Sequence, residues 1–330
     1  MEATSIKLWG VAALSAFLII GCSKDATGPD PEEANGLPPS GVTTEEEAIQ
    51  YYAAQDAFVQ NDEATFDDQS IEAFDYGTFG KITAPISPLR FGRFINSVTR
   101  TITVTTQPGD SIAVAHVQKD IVGTFRIKGL DRSGDTVIVE KPFEDRAARN
   151  VVFKRVARRS DRFWLNWVPV ATSLVQGGTI RPSGQAEISI TKAELFLPGG
   201  NIITITDPNT FYLRYRWTRL FDGGDCDIPE LTPGASARLQ VTLVSTEADT
   251  DLVALRYGIG AGHKRRVRMQ LVSEINNGDG TYTRLFSVPF VLHPYRGWFH
   301  AGIDAMTHQT LFDDTAPYVV SWWGIPYRVF

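Results

Sequence analysis

An α+β domain followed by an all-β sandwich is the fold this sequence predicts, and three observations predict it. A capped helical pattern opens the region at Thr44. After Arg90 the apolar period changes from helical to two, with turn signals between long alternating runs. A Gly/Pro-rich seam from Gln176 to Gly184 is then followed by many shorter alternating segments. A helix followed by a run of antiparallel strands reads as α+β, and the second half reads as a sandwich.

Ahead of these elements, Leu8 to Gly21 form an apolar run of 14 residues. A helix of that length rises about 21 Å, short of a hydrocarbon core of roughly 30 Å. It suits the h-region of a signal peptide better than a spanning helix. The run closes on Leu18-Ile19-Ile20-Gly21-Cys22, which resembles the lipobox of bacterial lipoproteins. The resemblance implies cleavage before Cys22, acylation of Cys22 and a membrane-held chain, with 1–21 as the signal peptide. Stable anchoring by lipid takes two or more chains. Ser23, a residue other than Asp after the Cys, implies the outer membrane by the enteric sorting rule.

Residues 22–43 read as a tether. Pro29, Pro31, Pro38 and Pro39, with Gly28, Gly36 and Gly41, leave no periodicity to bury. A flexible chain of this length reaches roughly 25 Å. Charge is uneven along the sequence. Residues 22–80 carry 14 acidic side chains and one basic, whereas residues 81–182 carry 17 basic and 8 acidic. An acidic partner or an acidic helix packed on the basic stretch would both explain this, and no nucleic-acid motif accompanies it.

In the first domain, 44–176, Thr44-Glu45-Glu46-Glu47 has the form of a capping box, so a helix should run to Asn61-Asp62. Strands are expected over 97–106, 111–128, 135–140, 149–157 and 162–171. A helix, then long hairpins, ending in the aromatic strand Phe163-Trp164-Leu165-Asn166-Trp167, resembles the cone of the nuclear-transport-factor-two-like superfamily. That resemblance is one of topology and implies a cone-like domain with a cavity.

In the second domain, 186–330, strands are expected over 186–196, 201–206, 211–220, 236–245, 252–258, 266–273, 281–290, 297–307 and 317–329. Leu231-Thr232-Pro233-Gly234, Asn277 to Tyr282, Trp298 to Ala305 and Trp323 to Tyr327 resemble phrases of immunoglobulin-like modules of bacterial surface proteins. Such modules host many functions, so the fold alone assigns none.

The chemistry-bearing residues are few. Asp222, Asp225, Asp227 and Glu230 lie in a Gly-rich loop whose oxygens suit Ca²⁺, although the spacing fits no EF-hand and Gly-Asp clusters are common turn material. Cys226 sits between two carboxylates, which disfavour the thiolate. His116 shares a strand face with Ile112 and Val114 and would act as acid or base if that face lined a cone cavity with Phe125, Phe153 and Trp164. Trp322 and Trp323 are adjacent in a strand and point to opposite faces, so one fills the core and the other meets solvent, a neighbouring domain or a sugar ring. No nucleophile-elbow, zinc-protease, P-loop or dinucleotide fingerprint is present, and no cofactor is expected. The sequence thus predicts a lipid-anchored envelope protein, outer-membrane and periplasmic or surface-facing, with a non-enzymatic binding or scaffold role toward a protein or glycan. The alternatives are a small-ligand-binding or enzymatic cone with His116 in its cavity, and glycan binding by the sandwich.

Overall fold

The structure is a computed structural model that describes residues 42–61, 72–73, 84–106, 111–156, 166–181, 186–214, 230–258 and 264–329. Antiparallel strands dominate it. The capping box forms as predicted: Thr44 Oγ1 accepts from Glu47 N at 3.1 Å, and Glu47 Oε2 accepts from Thr44 N at 3.0 Å, opening α1 (Glu45–Gln55). The helical run breaks at Asp56. Its carboxylate accepts from the backbone of Phe58 and Val59 at 3.0 and 3.1 Å and starts a separate short helix, α2 (Ala57–Asn61).

After the two-residue β1 (Glu72–Ala73) come three long strands: β2 (Ile86–Thr106), β3 (Ile112–Asp131) and β4 (Thr136–Arg155). They pair as an antiparallel meander. The β3–β4 turn is held by Asp131, whose carboxylate accepts from Ser133 N and Asp135 N, with Gly134 at φ 86°. Strands expected separately over 135–140 and 149–157 are one strand. Its buried positions run Lys141, Phe143, Asp145, Ala147, Arg149, Val151 and Phe153, so charged side chains interrupt the apolar alternation that would have revealed it.

β4 passes the sheet on to β5 (Trp167–Ser173) and β6 (Val175–Thr179). β6 pairs on its other side with β17 (Val320–Val329), so the sheet runs straight through the seam. It continues through β16 (Gly297–Met306), β12 (Leu252–Gly258) and β13 (Lys264–Arg268), while β9 (Tyr212–Arg214) and β10 (Glu230–Leu231) attach beside the path. The helix-plus-sheet cone therefore does not stand apart. Its strands are part of the sandwich sheet.

The second sheet has the order β14 (Gln270–Asn276), β15 (Tyr282–Val291), β11 (Ser236–Ser245), β7 (Ile188–Phe196) and β8 (Ile202–Ile205). The run expected as one strand over 266–273 splits at Met269, with β13 in the first sheet and β14 in the second. The Asn277–Gly280 hairpin forms as read, with Gly278 and Gly280 at positive φ. A short helix, α3 (His308–Phe312), between β16 and β17 was not foreseen. Among the described residues no helix is long and apolar enough to cross a membrane.

Three apolar cores follow from this layout. One lies between the two sheets and includes Val241, Leu255, Ile303 and Trp323. A second joins the inner faces of β2–β4 to β12, β16, β17 and α3 through Phe125, Phe143, Tyr318 and Trp322. A third seats α1 on β3, β4 and β5. There Arg155 pairs with Glu45, Arg100 donates to Ala54 O at 3.1 Å, and Lys119 donates to Val59 O. Part of the basic stretch thus meets the helical segment, as one of the two charge readings expected.

Gly177 in β6 faces Trp322 directly. A Cβ there would lie 2.2 Å from Trp322 Cε2, so this glycine is a platform for the indole rather than a joint in a linker. Gly177→Ala is expected to destabilise the chain by about 1–3 kcal/mol, measured by urea unfolding, because two packed strands and a buried ring leave nowhere to shift.

Candidate functional site

Among the described residues the fold buries several charged side chains, and two groups of them form ionic clusters. On β2, Arg93 is 1% exposed and turned inward. Its Nη1 and Nη2 donate to Asp304 of β16 at 2.9 and 2.6 Å. Arg256 of β12 donates to the same carboxylate at 3.1 Å. Arg93 Nε also donates to the Tyr318 hydroxyl, which donates to Asp145 of β4 at 3.2 Å. Burial drives the Asp304 carboxyl upward, but Arg93 and Arg256 pull it down further, and it ends below its ordinary value. Burial raises the Tyr318 hydroxyl well above its own. Asp145 is pushed up to about 6 by burial, against the pull of Arg93.

That shift has a definite pH consequence. A folded value of about 6 against an ordinary 3.8 means the folded state keeps the proton longer, so Asp145 disfavours folding as pH rises from 4 to 6. Two units correspond to about 2–3 kcal/mol. The stability of Asp145→Asn relative to wild type should therefore rise by about 2 kcal/mol across that window in urea titrations.

The second cluster centres on Arg284 of β15, wholly buried. It donates to Asp251 at 2.5 Å, to Glu274 of β14 at 2.6 Å, and to the carbonyls of Glu247 and Ala248 at 2.7 and 3.0 Å. Ser245 Oγ donates to the other Asp251 oxygen at 3.1 Å. Burial raises Asp251 to about 6 even so. One guanidinium thus fixes the whole turn 246–251 between β11 and β12.

Opposite that turn stands α3, fixed by another buried cation. Lys141 Nζ of β4 donates to Gln309 O, Thr310 O and Asp313 O at 3.3, 2.8 and 2.6 Å. Burial lowers this ammonium to about 8. At the other end Thr307 Oγ1 accepts from Thr310 N at 3.3 Å. Between turn and helix lies an open cleft of about 300 Å³, lined by Asp249, Thr250, Asp251, Arg268, His308 and Phe312. His308 stacks on Phe312 with centroids 4.3 Å apart and planes at 11°. Its Nδ1 is 3.8 Å from Asp249, and burial holds it below its ordinary value.

Another cavity, of about 40 Å³, lies between the sheets and is walled by apolar side chains such as Leu195, Leu255 and Phe290. The hydroxyl of Tyr327 at its edge has no hydrogen-bond partner among the described residues.

The described residues among those singled out from sequence form no common site. Cys22, Asp222, Asp225, Cys226, Asp227 and Trp164 lie outside the described residues, as does the side chain of Glu230, whose backbone opens β10. Among the described residues no group of three or more His, Cys, Asp or Glu side chains is placed to hold a metal ion. His116 does share its face with Ile112 and Val114, but that face is the outer one. The imidazole is exposed and its Nδ1 lies 2.6 Å from Asn150 Oδ1. Phe125 and Phe153 are buried in different cores, so no cavity joins them to His116, and its acid-base role there is withdrawn. Trp322 and Trp323 point to opposite faces as expected, yet each is 1% exposed, one in each of the two larger cores. Neither indole is open to a sugar, because β6 and β2–β4 cover the side left to solvent in a lone sandwich.

The residues that shape the cleft and the ionic clusters went unseen in the sequence. Their signal is a charge at the parity of an apolar strand face, as with Lys141 and Asp145 beside Phe143 and Ala147. No protein-family model, no curated protein and no solved structure matches this chain.

Proposed function

We propose that this chain is a lipid-anchored cell-envelope protein, held in the outer membrane through acylated Cys22, whose tether presents a folded body that binds a protein or glycan partner without catalysing a reaction. The observation that carries the binding reading is the disposition of the perturbed ionisable groups. The most strongly shifted of them, Arg93 and Tyr318, lie in the interior with Asp304 and Asp145 in mutual hydrogen bonds that lock strands together, and Asp251, which borders the cleft, is taken up by Arg284 and Ser245. Groups of that kind in a reactive centre would face a cleft. In this reading the two-sheet body is of the immunoglobulin-like kind, and α1 on β3, β4 and β5 occupies the place of a cone's helix.

The anchor is tested by metabolic labelling of the full chain with a palmitate analogue, followed by membrane fractionation. Wild type should take up label and sediment with outer membranes, and Cys22→Ser should do neither. Equal labelling of the two would contradict the reading. Cross-linking the labelled chain in the intact envelope then tests for a partner of the body.

A further inference from the structure

We propose that the cleft between the 246–251 turn and α3 is a binding site for an uncharged, hydroxyl-rich ligand about the size of one sugar ring; this names a ligand class for the binding reading above and rests on it. Its volume of about 300 Å³ falls at the lower end of small-molecule sites, roughly 300–1,000 Å³.

Both walls are fixed before any ligand arrives. Arg284 grips the turn through Asp251, Glu247 O and Ala248 O, and Lys141 grips α3 through three carbonyls. Pre-formed walls spare a small ligand the cost of ordering them.

The lining selects the ligand's chemistry. Asp249 sets a carboxylate beside the cleft and Arg268 a guanidinium, so the two signs offset each other and the lining favours neither a net anion nor a net cation. Asp251 is already bound to Arg284 and Ser245. His308, held below its ordinary value, is neutral at pH 7 and offers one N–H donor and one nitrogen acceptor. Thr250 adds a hydroxyl that both donates and accepts, and Asp249 adds an exposed acceptor. Alternating donors and acceptors match neighbouring hydroxyls, which do the same. The stacked His308 and Phe312 rings add a flat apolar element against which the C–H face of a pyranose can lie.

The test is saturation-transfer-difference NMR on the full chain in a detergent without a sugar headgroup. Glucose and N-acetylglucosamine are the probes, with acetate and choline as charged comparisons. Saturation of at least one sugar is expected, with affinity weakened about fivefold or more in both Asp249→Asn and His308→Ala while the unfolding midpoint stays unchanged. No saturation of either sugar, equal binding in the variants, or binding of a charged probe alone would overturn the proposal. The anchor is judged separately by the labelling experiment. Intact lipidation without sugar binding sinks the cleft alone, and sugar binding by an unlipidated chain sinks the anchor alone.

Discussion

Asp304→Ala is expected to lower the unfolding free energy by about 3–5 kcal/mol. The carboxylate answers two guanidiniums at once, Arg93 from β2 and Arg256 from β12. Its removal leaves both cations in a region where the three side chains are almost wholly shielded from water. The cost comes less from the lost attraction than from two buried charges deprived of the carboxylate they share, in a medium that solvates them poorly. Replacing the pair together, as Arg93→Met with Asp304→Leu, should recover part of the loss, since apolar residues of similar volume need no partner. Urea unfolding of the single and double variants measures the coupling. A coupling energy near zero would show that the two residues do not interact.

Trp323→Ala is the second large effect, also about 3–5 kcal/mol. Trp323 fills the space between the two sheets at 1% exposure, so truncation leaves a void that the paired strands on either side cannot close. The same core already holds a small apolar cavity. The signature of this variant separates it from the cleft. Its unfolding midpoint should fall while the sugar affinity of the folded fraction stays unchanged, as seen by NMR at a temperature where the variant is folded.

Much of the second half was legible because its strands obey simple alternation. The strand from Ser236 to Ser245 alternates buried and surface positions throughout, and the Asn-Gly-Asp-Gly turn between β14 and β15 supplies positive φ where a hairpin needs it. The capping box was legible for a similar reason: it is a contact between residues three apart, so no tertiary information is required. What escaped was whatever tertiary pairing decides. β4 was divided because Lys141, Asp145 and Arg149 sit on its inner face, and only partners far along the chain make them tolerable there. The odd residues Ile121, Phe125 and Ile127 do mark the inner face of β3, and weighing them against Ile112 and Val114 would have put His116 outside. The Gly177-Gly178 pair looked like a joint, since nothing in the local sequence says that an indole 145 positions later rests on the first glycine.

The charge clusters and the cleft share one cause. A sheet that passes through the seam and folds back on the sandwich creates an interior too deep for water, and the chain uses paired ions to fix β2, β4, β12 and β16 against one another. The helix that borders the cleft hangs from that interior by Lys141, and Arg284 ties the facing turn to the second sheet. Loosening the two halves would therefore also loosen the cleft.

The decisive measurement is the cooperativity of unfolding, followed on the full chain carrying Cys22→Ser by far-ultraviolet circular dichroism and by tryptophan fluorescence in the same urea series. If β6, β17 and the Arg93–Asp304 pair make one body of both halves, the two signals fall together in a single transition, and Asp304→Ala moves them by the same amount. Two separated transitions, or a chain of residues 186–330 that folds alone with the full chain's stability, would contradict the account.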